Sequence, residues 1–341
     1  LKESVEIPIH LHTHDTSGNG ILTLATAIDA GVDVVDVAFS ALAGGTSNPS
    51  METLYHGLEG TSRQPELEIE NVTTLNRYWG TIRKSYHAFD QAQVSPSPEV
   101  YYHEMPGGQY TNLYQQAKSV GLGERFEEVK EMYHRVNQLF GDIIKVTPSS
   151  KVVGDMALFC IQNELNEENI YEKGLTLSFP ESVIQFFRGD LGQPVGGFNE
   201  KLQKVVLKGI EPITIRPGLL APEVDFEEVR KELEVLLGCK PKEQQVLSYL
   251  MYPKVYKEYQ ERKELYGDLS KLDTQTFFYG MRMGETIQME YAPGKVFMIT
   301  LVQIGEPDQD GNRIMFYRFN GQSREIIVHD ASATMTTVKR Q

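Results

Sequence analysis

Residues 7–41 carry three hydrophobic patterns in succession. IPIHLHTH, at 7–14, alternates apolar residues with polar and histidine positions, which predicts a strand, and DTSGNG predicts the turn after it. ILTLATAIDA, at 21–30, has helical periodicity and a glycine stop at Gly31. VDVVDVAFSA, at 32–41, is continuously apolar, which is typical of a buried parallel strand.

A second helix is predicted next. SNPSMETLYHGLEG, at 47–60, combines helical periodicity with Ser50 or Asn48 as a cap and Pro49 at the helix start. Strand, helix, strand, helix with short loops is the βα repeat of a parallel α/β fold. Two such units cannot cover both faces of a parallel sheet, and a closed barrel needs eight. We therefore predict the C-terminal part of a (β/α)8 TIM barrel that chain outside this sequence completes.

The rest of the chain changes character twice. Helical patterns dominate residues 71–265; they lie at 76–89, 114–121, 125–141, 149–162, 227–238 and 243–267. After about Leu272 the patterns are those of strands separated by turns; the strands lie at 277–291, 295–305, 313–320 and 323–330. We therefore divide the chain into barrel units at 1–62, a helical region at 63–272, and a small β-rich domain at 273–341. Residues 333–341 look like the start of a linker.

Composition excludes some partners. The 341 residues carry a net charge of −14, which argues against a nucleic-acid partner because phosphate binding needs a concentrated basic surface. Cys160 and Cys239 have neither disulfide nor metal-knuckle spacing, which favours reduced thiols and a cytoplasmic location. No apolar run reaches the roughly 18 residues of a membrane span and no leader peptide opens the chain, so we expect no membrane partner. Because the sequence begins at Leu1 and not at a methionine, we expect that it starts within a domain.

Three histidines share one face of the first predicted strand. Positions two apart point the same way, so His10, His12 and His14 lie together. His12 and His14, nearest the strand's C-terminal end, are the better pair to bind one divalent ion, while His10 is expected to make hydrogen bonds deeper in the barrel. Histidines that merely pack are the alternative. Asp15 and Asp36 are available carboxylates, but the sequence gives neither a clear place in the site.

Two loops are further candidates. GDIIKVTPSSK, at 141–151, reads as a short strand, a proline stop and a helix capped by Ser149 or Ser150, which groups hydroxyls and Lys151 at a helix N-terminus. It lacks the spacing of a phosphate loop, and an ordinary capped helix is the favoured reading from the residues alone. EMPGGQYTNL, at 104–113, is either a tight connection or a loop whose backbone approaches a ligand.

Two motifs are set aside. DQDGN, at 308–312, resembles a calcium loop but lacks the acidic residue at the twelfth position and lies between strands, so a hairpin turn is predicted. Asp33 and Asp36 lie in an apolar strand, where local pairing is favoured over acid–base catalysis.

In order and spacing, HTHDTSG, EMPGGQYTNL and KVTPSSKVVGDMA resemble the carboxyltransferase domain of the pyruvate carboxylase family. FNGQSREIIVHD, at 319–330, resembles the tetramerisation and allosteric region of the same family. The resemblance implies a (β/α)8 barrel with a helical funnel and a Zn²⁺ or Mn²⁺ centre. It also implies that His12 and His14 are metal ligands, that Thr147 shuttles a proton between biotin and pyruvate, and that Ser150 and Lys151 contact the biotin ureido ring.

The resemblance further implies a reaction. Carboxybiotin arrives on a carrier domain, and its carboxyl group passes to pyruvate to give oxaloacetate, the anaplerotic step that also feeds gluconeogenesis. ATP and bicarbonate are used elsewhere in the holoenzyme, in a biotin carboxylase domain. The implied partners are these domains and the missing barrel half, in a homotetramer, with acetyl-CoA or a cyclic dinucleotide as candidate regulators. The family's carboxylate ligand, carbamylated lysine and pyruvate-binding arginine belong to earlier strands, so the chain alone is expected to be inactive.

Two other classes of function stay open. One is a related metal-barrel enzyme, such as a biotin-dependent decarboxylase or transcarboxylase subunit or an aldolase-type lyase; the β-rich domain counts against the lyase. The other is a non-catalytic scaffold that supplies subunit contacts while its histidines bind nothing.

Overall fold

A computed structural model describes residues 1–90 and 95–333. The chain divides into two compact units, Leu1–Pro222 and a second that begins at Glu223. The predicted boundaries after residues 62 and 272 stay predictions, and residues 334–341 of the predicted linker lie outside the described residues. Within the described residues, no helix is both long enough and apolar enough to cross a bilayer.

The first unit begins with the predicted strand–helix–strand–helix order. β1 (His10–Leu11) and β2 (Val34–Val35) pair in parallel, and α1 (Gly20–Asp29) and α2 (Met51–Gly57) follow them. Both strands are much shorter than the predicted runs, because each finds one ladder neighbour among the described residues. A small apolar core packs these two strands and two helices together; its buried members are Leu24, Ile28, Val32, Leu54 and Leu58.

Helices form the rest of the first unit. They are α3 (Ile69–Arg83), α4 (Val100–His103), α5 (Gly107–Ser119), α6 (Phe126–Leu139), α7 (Ser149–Gln162), α8 (Ile170–Lys173), α9 (Glu181–Arg188) and α10 (Glu200–Leu207). Their main core contains fully buried Leu113, Tyr133 and Met156, so α5, α6 and α7 pack on one another. Each such apolar side chain contributes about 1.5–3 kcal/mol on burial. The site described below depends on this packing.

Some predicted boundaries differ from the structure. α7 has the predicted bounds, but residues 143–146 are not in a ladder, so the short strand predicted before Pro148 is wrong. Within the second unit, the predicted helix at 243–267 breaks at Tyr252 (φ −143°, ψ 62°), since Pro253 disfavours a helical conformation in the residue before it.

The second unit has four helices and an antiparallel sheet. The helices are α11 (Phe226–Leu237), α12 (Glu243–Met251), α13 (Pro253–Tyr266) and α14 (Thr274–Tyr279). The strands, in sheet order, are β3 (Thr286–Ala292), β4 (Lys295–Ile304), β5 (Asn312–Phe319) and β6 (Gln322–His329). The hairpin turn predicted at 308–312 is confirmed, with Asp308 accepting hydrogen bonds from the backbone of Asp310 and Asn312.

The predicted strand at 277–291 is wrong at its start. Residues 277–279 belong to α14, where the Asp273 carboxylate caps the helix by accepting from Thr276 N at 3.0 Å. Gly280 ends that helix with φ 68°, a conformation that favours glycine. The local cap therefore outweighs the β propensity of the two phenylalanines and the tyrosine.

Candidate functional site

A cleft of about 800 Å³ in the first unit brings the sequence motifs together. It lies at the carboxyl end of β1, beside the N-terminal half of α5 and the loop that leads into α7. Its lining includes His12, His14, Gln109, Lys145, Thr147, Ser150 and Lys151. All five residues to which the family resemblance gives roles in metal binding, proton transfer or biotin binding therefore line one cleft. More than 130 residues separate the first from the last.

His12 and His14 face each other through their Nε2 atoms, which are 3.3 Å apart. His12 Nδ1 lies 2.7 Å from Asp36 Oδ2, and His14 Nδ1 lies 2.5 Å from the Thr46 carbonyl oxygen. A carboxylate and a carbonyl can only accept, so each Nδ1 donates, and in the tautomer with the ring proton on Nδ1 the two Nε2 atoms present their lone pairs to each other. Two facing lone pairs repel unless a cation lies between them.

The separation of the two Nε2 atoms fits one divalent ion. Two nitrogens at 2.0–2.1 Å from a tetrahedral zinc are about 3.3–3.4 Å apart. Acceptors on both Nδ1 atoms are also the usual outer partners of metal-binding histidines, because they fix the tautomer and the ring orientation. The histidine pair therefore fits a metal ion. Among residues 1–90 and 95–333 no group of three or more His, Cys, Asp or Glu side chains could hold one, so this part of the chain offers two ligands.

Asp36 orients both neighbouring histidines. Its Oδ1 lies 2.7 Å from His10 Nε2, while Oδ2 accepts from His12. The hydrogen bond with His10, and then that with His12, holds the pKa of the Asp36 carboxyl below its usual range. The predicted hydrogen-bonding role of His10 is confirmed, whereas Asp36 pairs with histidines of the preceding strand region and not locally. Both residues support His12 without joining the facing pair.

The other predicted carboxylates have structural partners. Asp15 Oδ1 accepts from Gly20 N at 2.8 Å, at the start of α1. Asp33 pairs with Lys2 and accepts from Ile9 N at 2.7 Å, so it has a structural partner as expected, though one distant in the chain. Asp15 is thus a helix-capping residue, and the sequence had no means of distinguishing that from a place in the metal site.

The loop before α7 is held by Ser149. Its Oγ lies 2.7 Å from Ile144 O and 2.6 Å from Val146 O, and it accepts from Val146 N at 3.1 Å. No side chain of the described residues caps α7, so the predicted capping by Ser149 or Ser150 is wrong, and the hydrogen bonds of the Ser149 hydroxyl stabilise the turn of the preceding loop instead. The Thr147–Pro148 peptide bond in this loop is cis.

Thr147 and Ser150 line the cleft between His14 and the start of α7. Thr147 is exposed and Ser150 is 5% exposed, and neither hydroxyl has a hydrogen-bond partner in the described part of the chain. Lys151 is ion-paired with Asp155 one helical turn later. The same Asp155 oxygen accepts from Ser182 Oγ on α9 at 2.5 Å, which anchors the pair to the protein.

Two further residues belong to the cleft and were not singled out from the sequence. Gln109 is 7% exposed, and its Nε2 has no hydrogen-bond partner among the described residues. The side chain of Lys145 is 14% exposed, and its Nζ lies 3.1 Å from Glu104 Oε2. A signal for Gln109 was available, because it lies at helical spacing from Asn112 and Gln116 on the cleft side of α5.

Comparison with known proteins identifies the relatives. A family model described as a conserved carboxylase domain matches residues 100–300. The chain is 53% identical over 340 residues to the pyruvate carboxylase of Bacillus subtilis, covering 100% of this chain and 30% of that protein. It is 56% identical over 330 residues to the pyruvate carboxylase of Staphylococcus aureus, covering 97% of this chain and 29% of that protein. The chain thus spans about 30% of the length of these relatives.

Solved structures agree. The carboxyl transferase domain of Rhizobium etli pyruvate carboxylase, solved with pyruvate and biocytin, superposes with a TM-score of 0.88 at 43% identity. That match covers 97% of this chain and 56% of the other. The complete multifunctional enzyme from the same organism gives a TM-score of 0.87 at 43% identity, over 98% of this chain and 33% of the other.

Proposed function

This chain belongs to the conserved carboxylase domain family of the pyruvate carboxylases, and on that basis we propose that it transfers a carboxyl group from carboxybiotin to pyruvate, giving oxaloacetate. One observation carries the proposal. The facing histidine pair and the Thr147–Lys151 loop line the same cleft, so a metal-binding group, a hydroxyl and ureido-binding groups are available to one bound substrate. A Rhizobium etli relative was solved with pyruvate and biocytin, which fits a cleft of this composition.

The chain would act as part of a longer protein. In this proposal β1, α1, β2 and α2 are the last two units of a (β/α)8 barrel, and the helices within residues 63–272, α3–α13, belong to its helical funnel. The parallel pairing of β1 and β2 supports the barrel, and the greater length of the relatives supports the presence of further barrel units. The sheet β3–β6 would serve tetramerisation and allosteric control, in a cytoplasmic homotetramer.

His12 and His14 would hold a Zn²⁺ or Mn²⁺ ion, with Asp36 and Thr46 fixing their rings. When bound, such an ion supplies Lewis acidity that stabilises negative charge on the pyruvate oxygen and so favours the enol form. The remaining ligands would come from other strands of the barrel.

Thr147 would relay a proton. A threonine hydroxyl is far too weakly acidic to act as a free base, but a relay needs only to accept one proton while donating another. The hydroxyl of Thr147, a residue that lines the cleft, suits this role, because no group in the described part of the chain forms a hydrogen bond with it. It would take the proton from the pyruvate methyl group and pass its own to the biotin nitrogen.

Ser150, Lys151 and Gln109 would bind the ureido ring. The Lys151 ammonium has three donors, so it can keep Asp155 and still donate to the ureido oxygen. The unsatisfied Nε2 of Gln109 is a second donor in the same wall of the cleft. A buried donor without a partner costs about 1–3 kcal/mol, and a ligand acceptor would recover much of that cost.

The rest of the holoenzyme would charge the biotin. A biotin carboxylase domain using ATP and bicarbonate, and a biotin carrier domain, are proposed partners outside this chain. Acetyl-CoA and a cyclic dinucleotide are the proposed regulators. The length of the relatives and the description of the Rhizobium etli enzyme as multifunctional support these further domains.

The test uses the full-length enzyme that contains this chain. His12→Ala and His14→Ala should each lower the rate of oxaloacetate formation by at least about 100-fold, since they remove a proposed metal ligand. ATP-dependent carboxylation of biotin should continue at the parent rate, because that reaction occurs elsewhere. Undiminished oxaloacetate formation in both variants would favour the scaffold alternative for the histidines.

A further inference from the structure

Helix α5 begins directly against His14. Gly107 occupies its first position, and a Cβ built there would stand 2.8 Å from His14 Nδ1, 2.8 Å from Thr46 O and 2.9 Å from Thr16 Oγ1. Real Cβ atoms essentially never approach other heavy atoms so closely. Gly107 lacks the positive φ that would itself call for glycine, so space is the reason for the glycine here.

The first two of these atoms are the two ends of one hydrogen bond. His14 Nδ1 donates to Thr46 O, and this bond fixes the ring with Nε2 toward His12. The third atom belongs to Thr16, which is 4% exposed and has little room to move away. A side chain at position 107 would therefore displace the His14 ring, the Thr46 carbonyl or the start of α5.

Helix α5 also holds Thr46 at a second point. One turn after Gly107, Thr111 Oγ1 donates to Thr46 Oγ1 at 3.0 Å. The first turn of α5 thus contacts the donor and the acceptor of the His14 bond and is tied by hydrogen bonding to the residue that supplies the acceptor.

We propose that Gly107 is a positioning residue for His14: its missing side chain lets α5 close over the His14–Thr46 hydrogen bond and so holds Nε2 of His14 at the distance a shared metal ion requires. This inference rests on the proposed metal site. It gives the first glycine of EMPGG a function that neither a tight connection nor a ligand-approaching loop supplied.

Gly108 is a matched control. It is the next residue of the same helical turn, and a Cβ built on it would meet no atom within 4 Å. Gly107→Ala and Gly108→Ala make the same chemical change at neighbouring positions, so a general effect of alanine in this turn appears in both variants. An effect through His14 appears in the first alone.

The experiment measures metal affinity in the full-length enzyme that contains this chain. The protein is stripped with a chelator and titrated with Zn²⁺ alone, and with Co²⁺ alone for its visible absorption spectrum. Gly107→Ala should bind Zn²⁺ about 10–100-fold more weakly than the parent and change the Co²⁺ spectrum, while Gly108→Ala stays within about twofold. Thermal unfolding of the stripped proteins checks that each variant is folded.

Three results would overturn the inference. Zn²⁺ binding by Gly107→Ala at the parent affinity would do so, as would equal losses in both alanine variants. If Gly107→Ala does not fold, Thr111→Val is the second variant, because it removes the hydrogen bond from α5 to Thr46 without introducing a clash. Zn²⁺ affinity equal to that of the parent in Thr111→Val would contradict the proposal. Metal binding that is insensitive to His12→Ala and His14→Ala would overturn the metal site itself. If those variants lose the metal while Gly107→Ala keeps it, the inference about Gly107 alone is overturned.

Discussion

The backbone of Gly154 on α7 packs closely against the carboxamide of Gln109 on α5. A Cβ built on Gly154 would overlap Gln109 Nε2 and stand 3.1 Å from Leu113 Cδ1. Because Gln109 lines the cleft and Leu113 is fully buried, the absence of a side chain at one helical position links the packing of the two helices to the cleft wall.

Gly154→Ala should therefore destabilise the protein. Alanine in place of a helical glycine ordinarily stabilises by about 0.5–1 kcal/mol, whereas overpacking of a core costs about 1–3 kcal/mol. Because Gln109 is 7% exposed and Leu113 is fully buried, neither side chain has free room to move away, and we expect the overpacking cost to be the larger. Gly57→Ala is the control, because a Cβ at this α2 position would meet nothing within 4 Å. Denaturant unfolding should show a lower midpoint for Gly154→Ala and an equal or higher one for Gly57→Ala. A raised midpoint in the first variant would contradict the packing described.

Thr147→Ala should lower oxaloacetate formation by at least about 100-fold, since a positioned proton-transfer group contributes about 10²–10⁴-fold. Exchange of the pyruvate methyl hydrogens with deuterated solvent should fall in parallel. Thr147→Ser, which keeps the hydroxyl, should retain most of the rate, and biotin carboxylation should be unaffected in both. Equal rates for Thr147→Ala and the parent would remove Thr147 from the reaction.

Asp155→Asn should weaken the binding of biotin more than it changes stability. The Lys151 side chain is more than half exposed, so the ion pair with Asp155 contributes at most about 1 kcal/mol to folding. We propose that the ion pair with Asp155 instead holds the Lys151 side chain beside the ureido-binding site. In the full-length enzyme without ATP, with oxaloacetate as the carboxyl donor and free biotin as the acceptor, the KM for biotin should rise several-fold and kcat should change little. Ser182→Ala, which leaves the ion pair, should have a smaller effect. A fall in kcat at constant KM would argue against a positioning role.

His103 should make stability depend on pH. Burial, and then the charge of Lys130, lowers the pKa of His103 to about 4, while Glu99 and Glu127 act weakly in the opposite direction. The unfolded chain, with a histidine pKa near 6.5, then binds more protons than the folded one, so stability is lost as pH falls from about 6.5 to about 4. The full difference corresponds to about 3 kcal/mol.

His103→Asn is the matched variant for this pH effect, since its side-chain oxygen can replace Nδ1 as acceptor for Met105 N. Denaturant midpoints of the parent should fall more steeply than those of His103→Asn between pH 6.5 and 4. Parallel curves would show that His103 does not stay neutral in the folded protein.

Local sequence patterns predicted most helices and strands and several of the residues that line the cleft, but not the hydrogen bonds that orient those residues. Strand alternation predicted that His12 and His14 share one face; in the structure β1 ends at Leu11, and the two rings face each other just beyond it. A proline followed by serines located the start of α7. The sequence could not predict which groups accept hydrogen bonds from the two Nδ1 atoms, because Asp36 and Thr46 lie 24 and 32 residues away from their partners along the chain. Such contacts depend on which segments meet, and no periodicity records that.

The errors have a common physical origin. Ser149 was expected to cap α7 because serine does so in many helices, but nearby loop carbonyls offered its hydroxyl better partners. The aromatic residues at 277–279 favour strands, yet a capping aspartate at 273 and a glycine at 280 made them helical. In both places a side-chain hydrogen bond outweighed propensity, which amounts to only a few tenths of a kcal/mol per residue.

The central claim is that His12 and His14 share one divalent ion, and anomalous diffraction from crystals of the full-length enzyme tests it most directly. Data collected on both sides of the zinc and manganese absorption edges should show one peak about 2.0–2.2 Å from the Nε2 atoms of both histidines. The absence of any peak between the two rings, or a ring whose Nε2 is turned to another partner, would contradict the account.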